Sequence, residues 1–143
     1  MQTSLKRSET YSVGQPELLK TRGEIEAAIC EGMAHFEQKY MGRGPADIRA
    51  HLIGELLVVL LQGVLTVAER NLVNHPQEKG RDLLKQIRSQ LIEVARPTLE
   101  TLVQAITGVK LLSLHHDIST VTGEQVVVFT LATPPDYREI KKK

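Results

Sequence analysis

The stretch from Glu78 to Ile106 constrains this chain most, because it carries apolar residues at helical spacing for about eight turns. Leu84, Ile87, Leu91, Val94, Thr98, Leu102 and Ala105 follow a near-heptad rhythm, and Leu83, Ile92, Ala95, Val103 and Ile106 broaden the stripe. A band that wide covers more than one neighbour, so this helix is read as a scaffold that also serves a subunit interface. Pro97 lies inside it and has no N–H for the Glu93 carbonyl. The apolar rhythm stays in phase on both sides of Pro97, which predicts one continuous helix kinked near Arg96.

The rest of the chain is arranged around this helix. Met1 to Pro16 is polar and without periodicity and reads as a mobile arm. A first helix is predicted from about Glu17 to Tyr40, with Ile25, Ile29, Met33, Phe36 and Tyr40 as its apolar line. Glu24, Glu26, Glu31, Glu37 and Lys39 are placed on its wet side. Gly42 supplies a left-handed C-cap and Pro45 prevents resumption.

Two strands are then predicted, Asp47–Ile53 and Glu55–Gln62, around a turn at Gly54. Leu56 to Leu61 is apolar at every position, so both of its faces need a cover, from helices or from another subunit. Thr66 and Glu69 have the form of a capping box that opens a short helix to about Asn74. His75-Pro76 ends it, and Pro76 suits the first position of the long helix. Beyond Gly108 come strands Val109–Ile118 and Glu124–Thr133, joined through Ser119 to Gly123. Pro134-Pro135 closes the sheet, and Lys141 to Lys143 form a basic tail.

The predicted fold is α+β in the order αββααββ. Two hairpins make a four-stranded antiparallel sheet, packed against a long kinked helix and a shorter N-terminal one. One domain spans 17–133, with an N-terminal arm at 1–16 and a C-terminal tail at 134–143.

Composition excludes several function classes. The formal charge is +1 and aromatic residues make up 3% of the chain, so neither an electrostatic nor a stacking platform for nucleic acid is present. One cysteine, Cys30, leaves no internal disulfide and reads as a buried structural thiol. The most apolar window, Leu52 to Leu65, is broken by Gly54, Glu55, Gln62 and Gly63 and falls short of a membrane span of about 20 residues. The start lacks the apolar run of a signal peptide, and the expected compartment is the cytoplasm. Three terminal lysines fall below the cluster of about four to eight that binds anionic lipid.

Candidate chemistry is sparse. Arg43, between Gly42 and Gly44, could fork onto a phosphate or carboxylate, but it follows a helix C-terminus, whose dipole repels anions. His115 and Asp117 point to one side of a strand and His116 to the other, so a metal site at His115 and Asp117 needs a third ligand from elsewhere, with His51 the candidate. No nucleophile elbow, dinucleotide loop or phosphate loop occurs, and no catalytic residue or cofactor is assigned.

Several phrases, taken in order, resemble the MpsC-like family of small bacterial proteins. They are Lys20 to Ile29, Tyr40 to Pro45, Gly63 to Thr66 with Ala68-Glu69, Ala95-Arg96-Pro97, Thr107 to Val109, and Asp117 to Thr120 with Thr122 to Glu124. The resemblance runs from Leu19 to Ala132. It implies a link to a sodium-translocating, membrane-potential-generating system whose membrane components are associated with inorganic-carbon uptake. For a chain without a span, it implies an accessory or regulatory role at the inner membrane's cytoplasmic side. Arg43, Arg96, Asp117 and Thr120 match its phrases and are the candidate ligand residues.

The leading expectation is a non-catalytic cytoplasmic accessory protein that forms a dimer and contacts a membrane transporter subunit. Leu56, Val58, Leu60, Leu91 and Leu102 are the candidate interface residues. The alternative is a small-ligand sensing domain for an anion or metal ion.

Overall fold

A computed structural model describes residues 19–74 and 79–139. The arm at 1–16, the Pro76 helix start and the lysine tail lie outside them. The first helix, α1 (Arg22–Phe36), starts later than the apolar line alone predicts, because Thr21 caps it. The Thr21 hydroxyl accepts from the Glu24 N–H at 3.1 Å, and the Glu24 carboxylate accepts from the Thr21 N–H at 2.8 Å. Leu19 and Lys20 stand before this cap and are not helical.

Ile25, Ile29, Met33 and Phe36 are the buried line of α1. A π-helical turn, Glu37–Met41, continues it and ends at Gly42 in the left-handed conformation (φ 87°), the predicted cap. The wider turn changes the helical phase. Tyr40, past this turn, is exposed and stacks on Phe36 with ring centroids 4.9 Å apart, whereas Glu37, expected in water, is fully buried because it lies four residues on from Met33, on the same face.

The sheet consists of β1 (Asp47–Ile53), β2 (Leu56–Gln62), β3 (Leu111–Ile118) and β4 (Gln125–Leu131) in the order β1-β2-β4-β3, antiparallel throughout. The turn Gly54-Glu55 joins β1 to β2, with Gly54 at φ 61°, as a two-residue hairpin requires. The inner face carries Ala50, Leu52, Leu57, Val59, Leu61, Val127, Phe129 and Leu131, all buried under the helices. Each fully buried Leu, Ile or Phe contributes about 1.5–3 kcal/mol by leaving water. On the outer strand β1, the Leu52 N–H donates to the Glu26 carboxylate at 2.8 Å, so α1 satisfies part of an otherwise open edge.

After β2, the predicted Thr66–Glu69 capping box opens α2 (Val67–Val73). Then α3 (Lys79–Thr107) runs without interruption through Pro97. Its buried line is Gly80, Leu84, Arg88, Ile92, Ala95, Leu99, Val103 and Thr107. Beyond Leu84, which the two lines share, the near-heptad line through Ile87, Leu91 and Val94 is therefore not the core line. It lies about a third of a turn away, at 100° per residue, and stays largely exposed. Close approaches fix the helix positions: a Cβ on Gly80 would sit 2.1 Å from the Leu72 carbonyl oxygen, and one on Gly32 would sit 2.6 Å from Leu102 Cδ1.

After the sheet, the chain returns to the segment just before α1. Arg138 N–H donates to the Lys20 carbonyl at 2.8 Å, and Tyr137 packs against the core. Among the described residues, no helix is long and apolar enough to cross a membrane.

Candidate functional site

Arg88, on the core line of α3, is fully buried. A buried guanidinium is tolerated only when paired and hydrogen-bonded, and here all five of its N–H donors have partners. Nε and one terminal nitrogen fork onto Glu69 at 3.1 and 2.9 Å. The other terminal nitrogen donates to Glu37 at 3.3 Å and to the Gln125 side-chain carbonyl at 3.0 Å, and the Val64 carbonyl takes the fifth bond at 3.1 Å. One side chain thus ties together α1's terminal turn, the segment after β2, α2, α3 and β4.

The two carboxylates titrate in opposite directions. Burial pushes Glu37 up more strongly than Arg88 pulls it down, and its Oε2 is buried without a hydrogen-bond partner. Burial also raises Glu69, but the Arg88 guanidinium and the Thr66 N–H outweigh it, so Glu69 is net lowered.

Above this cluster, the turn Ser119–Gly123 separates two shallow clefts. One, of about 400 Å³, lies between the turn and α3 and brings together Lys85, Asp117, Ser119, Thr120 and Glu124. The other, of about 350 Å³, faces α2 and includes Arg70, Asn74, Thr120, Thr122 and the Gly63 to Leu65 backbone. Asp117 accepts from Lys85 Nζ at 3.0 Å and from the Ile118 N–H at 2.8 Å, which together hold its carboxyl below the usual range.

Of the residues singled out from the sequence, only Asp117 and Thr120 share a cleft. Arg43 donates from Nε to the Gly63 carbonyl at 2.9 Å, bracing the segment that lines the second cleft. Arg96 pairs with Glu100 at 3.5 Å one helical turn on, and lies eleven residues, about 16 Å, along α3 from Lys85. Arg43, Arg96 and Asp117 do not converge.

His115 and Asp117 do lie on one sheet face, but His51 cannot join them. His51, Val58, Val128 and His115 form one row across the sheet, which separates the two imidazoles by about 14 Å. No group of three or more His, Cys, Asp or Glu side chains able to hold a metal occurs among the described residues. His116 points to the inner face, where burial lowers its pKa. Cys30 is half-buried with its thiol 3.9 Å from the Ile48 carbonyl, and burial raises its pKa, the unreactive direction.

Among the described residues, two apolar surfaces remain open. On α3, Leu83, Ile87, Leu91 and Val94 form an exposed stripe, with Val94 75% exposed. On the outer sheet face, Leu56, Val58, Leu60, Val126 and Val128 form a continuous centre that no helix of the described chain covers. Of the five candidate interface residues, Leu56, Val58 and Leu60 are on that sheet face and Leu91 is on the stripe. Leu102 instead packs against Gly32, where α1 crosses α3.

Sequence reasoning missed Arg88, Glu37 and Lys85. The signal for Arg88 was its place midway between Leu84 and Ile92, four residues from each.

A family model described as "Na+-translocating membrane potential-generating system (MpsC)" matches residues 21–133, from the Thr21 cap to just past the last strand. The chain is also 36% identical over 112 residues to the uncharacterized protein YbcI of Bacillus subtilis (strain 168), covering 78% of this chain and 89% of that protein. No solved structure matches. With its helices and strands all falling inside the matched span but for the last contacts with the returning chain, this protein belongs to the MpsC family.

Proposed function

We propose that the chain is a non-catalytic accessory protein that works through contacts with other proteins. Its setting is the sodium-translocating, membrane-potential-generating system of the family description. The observation that carries this reading is the stripe Leu83, Ile87, Leu91 and Val94. Those residues repeat at helical spacing on the same helix whose neighbouring arc packs the core, so the apolar character is organised rather than scattered. A helix from a partner can lay its own apolar side along such a stripe. The favoured partner is a membrane subunit of an ion or inorganic-carbon transport system, which brings the protein to the cytoplasmic side of the inner membrane. The outer sheet face, which no helix of the described chain covers, adds self-association to this reading, with a dimer the simplest form.

The test is affinity capture from detergent-solubilised membranes of the native host, with the unaltered protein and with Ile87→Asp/Leu91→Asp. Both positions are exposed, so the variant keeps its fold. Enrichment of a sodium- or inorganic-carbon-translocating subunit that disappears in the variant is the expected result. Absence of any such subunit, or equal capture by both proteins, would refute the reading.

One observation favours a second reading, a small-ligand sensor: Asp117 and Thr120 share a cleft with Lys85. A sensor would be stabilised by its ligand through mass action. Thermal shifts with phosphate, bicarbonate, nucleotides and divalent ions, repeated on Asp117→Ala, check it. No shift with any of these would remove this reading.

A further inference from the structure

We infer that the outer sheet face is covered by the same face of a second copy, the two sheets stacked about a twofold axis parallel to the strands. This rests on the reading of the chain as a dimer and assigns the surface and geometry that make it.

Strand pairing places the outer-face residues in rows. Arg49, Leu60, Val126 and Asp117 form one row; His51, Val58, Val128 and His115 form the next. Apolar side chains from β2 and β4 occupy the middle, and the two rims are polar except for Ile53 at the end of β1. A twofold parallel to the strands, passing between β2 and β4, keeps each row level but exchanges the rims. Leu60 then meets Val126 of the second copy, Val58 meets its Val128, and Arg49 on the β1 rim meets Asp117 on the opposite β3 rim. Two such Arg49–Asp117 pairs form by symmetry. A twofold across the strands would instead set each rim on its own counterpart, leaving Arg49 over Ile53 and Asp117 over Ser113. Charge therefore selects the first arrangement.

Other occupants fit less well. Each rim carries both signs, Asp47 with Arg49 at 3.8 Å and Lys85 with Asp117 at 3.0 Å, whereas an anionic lipid surface calls for a basic rim. Size also suits a second copy. Four strands of about seven residues span on the order of 19 by 23 Å. Two such faces enclose about 900 Å² before side-chain relief, close to the ~1,000 Å² of a specific interface. The dimer is accordingly one that dissociates on dilution.

Cross-linking tests the geometry. In a Cys30→Ser background, Arg49→Cys and Asp117→Cys proteins are mixed and treated with a bifunctional thiol reagent of about 8 Å reach, since stacked sheets lie ~10 Å apart. The mixture should give linked dimers at tens of micromolar protein, and Arg49→Cys alone should not. Linking of Arg49→Cys to itself, or no linking in the mixture, would overturn the stacking. A charge exchange provides the second arm. Arg49→Asp and Asp117→Arg should each weaken dimerisation about tenfold through two rim pairs, and the double variant should restore it. A double variant as weak as the sum of the singles would overturn the pairing. Capture of a membrane subunit through α3 does not depend on this face, so failure here and failure of the partner reading are separate results.

Discussion

Replacing Arg88 by alanine should be among the most damaging single changes in the described chain. The guanidinium makes five hydrogen bonds to four residues, and Glu37 behind it is fully buried. Adding five charged hydrogen bonds at about 1.5–3 kcal/mol each would equal or exceed the whole stability of an ordinary domain, so that sum is not the cost. The relevant quantity is the penalty for leaving a buried carboxylate without its partner, about 3–5 kcal/mol. For a chain of 143 residues this lowers Tm by roughly 10–20 °C. Urea titration followed by far-ultraviolet circular dichroism measures it directly. The paired control is Arg88→Met/Glu37→Leu, which removes both buried charges together. Because apolar replacement of a buried ion pair is often neutral or favourable, the double variant should recover the part of the loss that comes from Glu37, while Glu69, at the partly exposed edge of the cluster, loses its partner in both variants. A cost below about 1 kcal/mol for Arg88→Ala would refute the claim that this side chain holds the junction.

Three further outcomes follow from the geometry. Glu37 is raised in the folded state, so its contribution favours folding at pH below its unfolded value and is lost as pH rises through its folded one. Glu37→Gln should therefore flatten that part of the stability–pH curve in urea titrations at a series of pH values, leaving the opposite dependence from Glu69, whose lowered carboxyl loses stabilisation as pH falls. Gly80→Ala should cost about 1–3 kcal/mol in the same assay, since its Cβ would stand 2.1 Å from the Leu72 carbonyl oxygen and push α2 from α3. Thr21→Ala should cost about 1 kcal/mol and raise amide exchange in the first turn of α1, because it removes the hydroxyl that accepts from Glu24 N–H.

Local chemistry made much of this fold legible in the sequence. The alternation at Asp47–Ile53 gave the strand boundaries as observed, and Gly42 and the Thr66–Glu69 box marked helix ends by their own hydrogen-bonding needs. What remained hidden was set by tertiary contacts. The long helix has two lines at core-like spacing, and one includes a charge. Judged by hydropathy, the Leu84–Ile87–Leu91 line is the better core. In the folded chain the Arg88 line goes inward, because Glu37, Glu69, Gln125 and the Val64 carbonyl are all in reach. Glu37 was obscured for a related reason: it lies four residues on from Met33, on the buried line of α1, but its charge argued for the wet side. The site was half legible. Asp117 and Thr120 do share a cleft, but Arg43 and Arg96 are engaged locally, a backbone carbonyl taking one and Glu100 the other.

The all-apolar strand Leu56 to Leu61 needed a cover on both faces, and the described chain supplies one. The most direct measurement is the molar mass in solution by sedimentation equilibrium, for the unaltered protein and for Val58→Asp. Val58 faces outward at the centre of the uncovered surface, so the substitution leaves the inner core intact. The unaltered chain should approach twice 15.9 kDa at tens of micromolar, and Val58→Asp should sediment as a folded monomer of 15.9 kDa. A monomer for both, or a dimer that Val58→Asp leaves unchanged, would contradict the account.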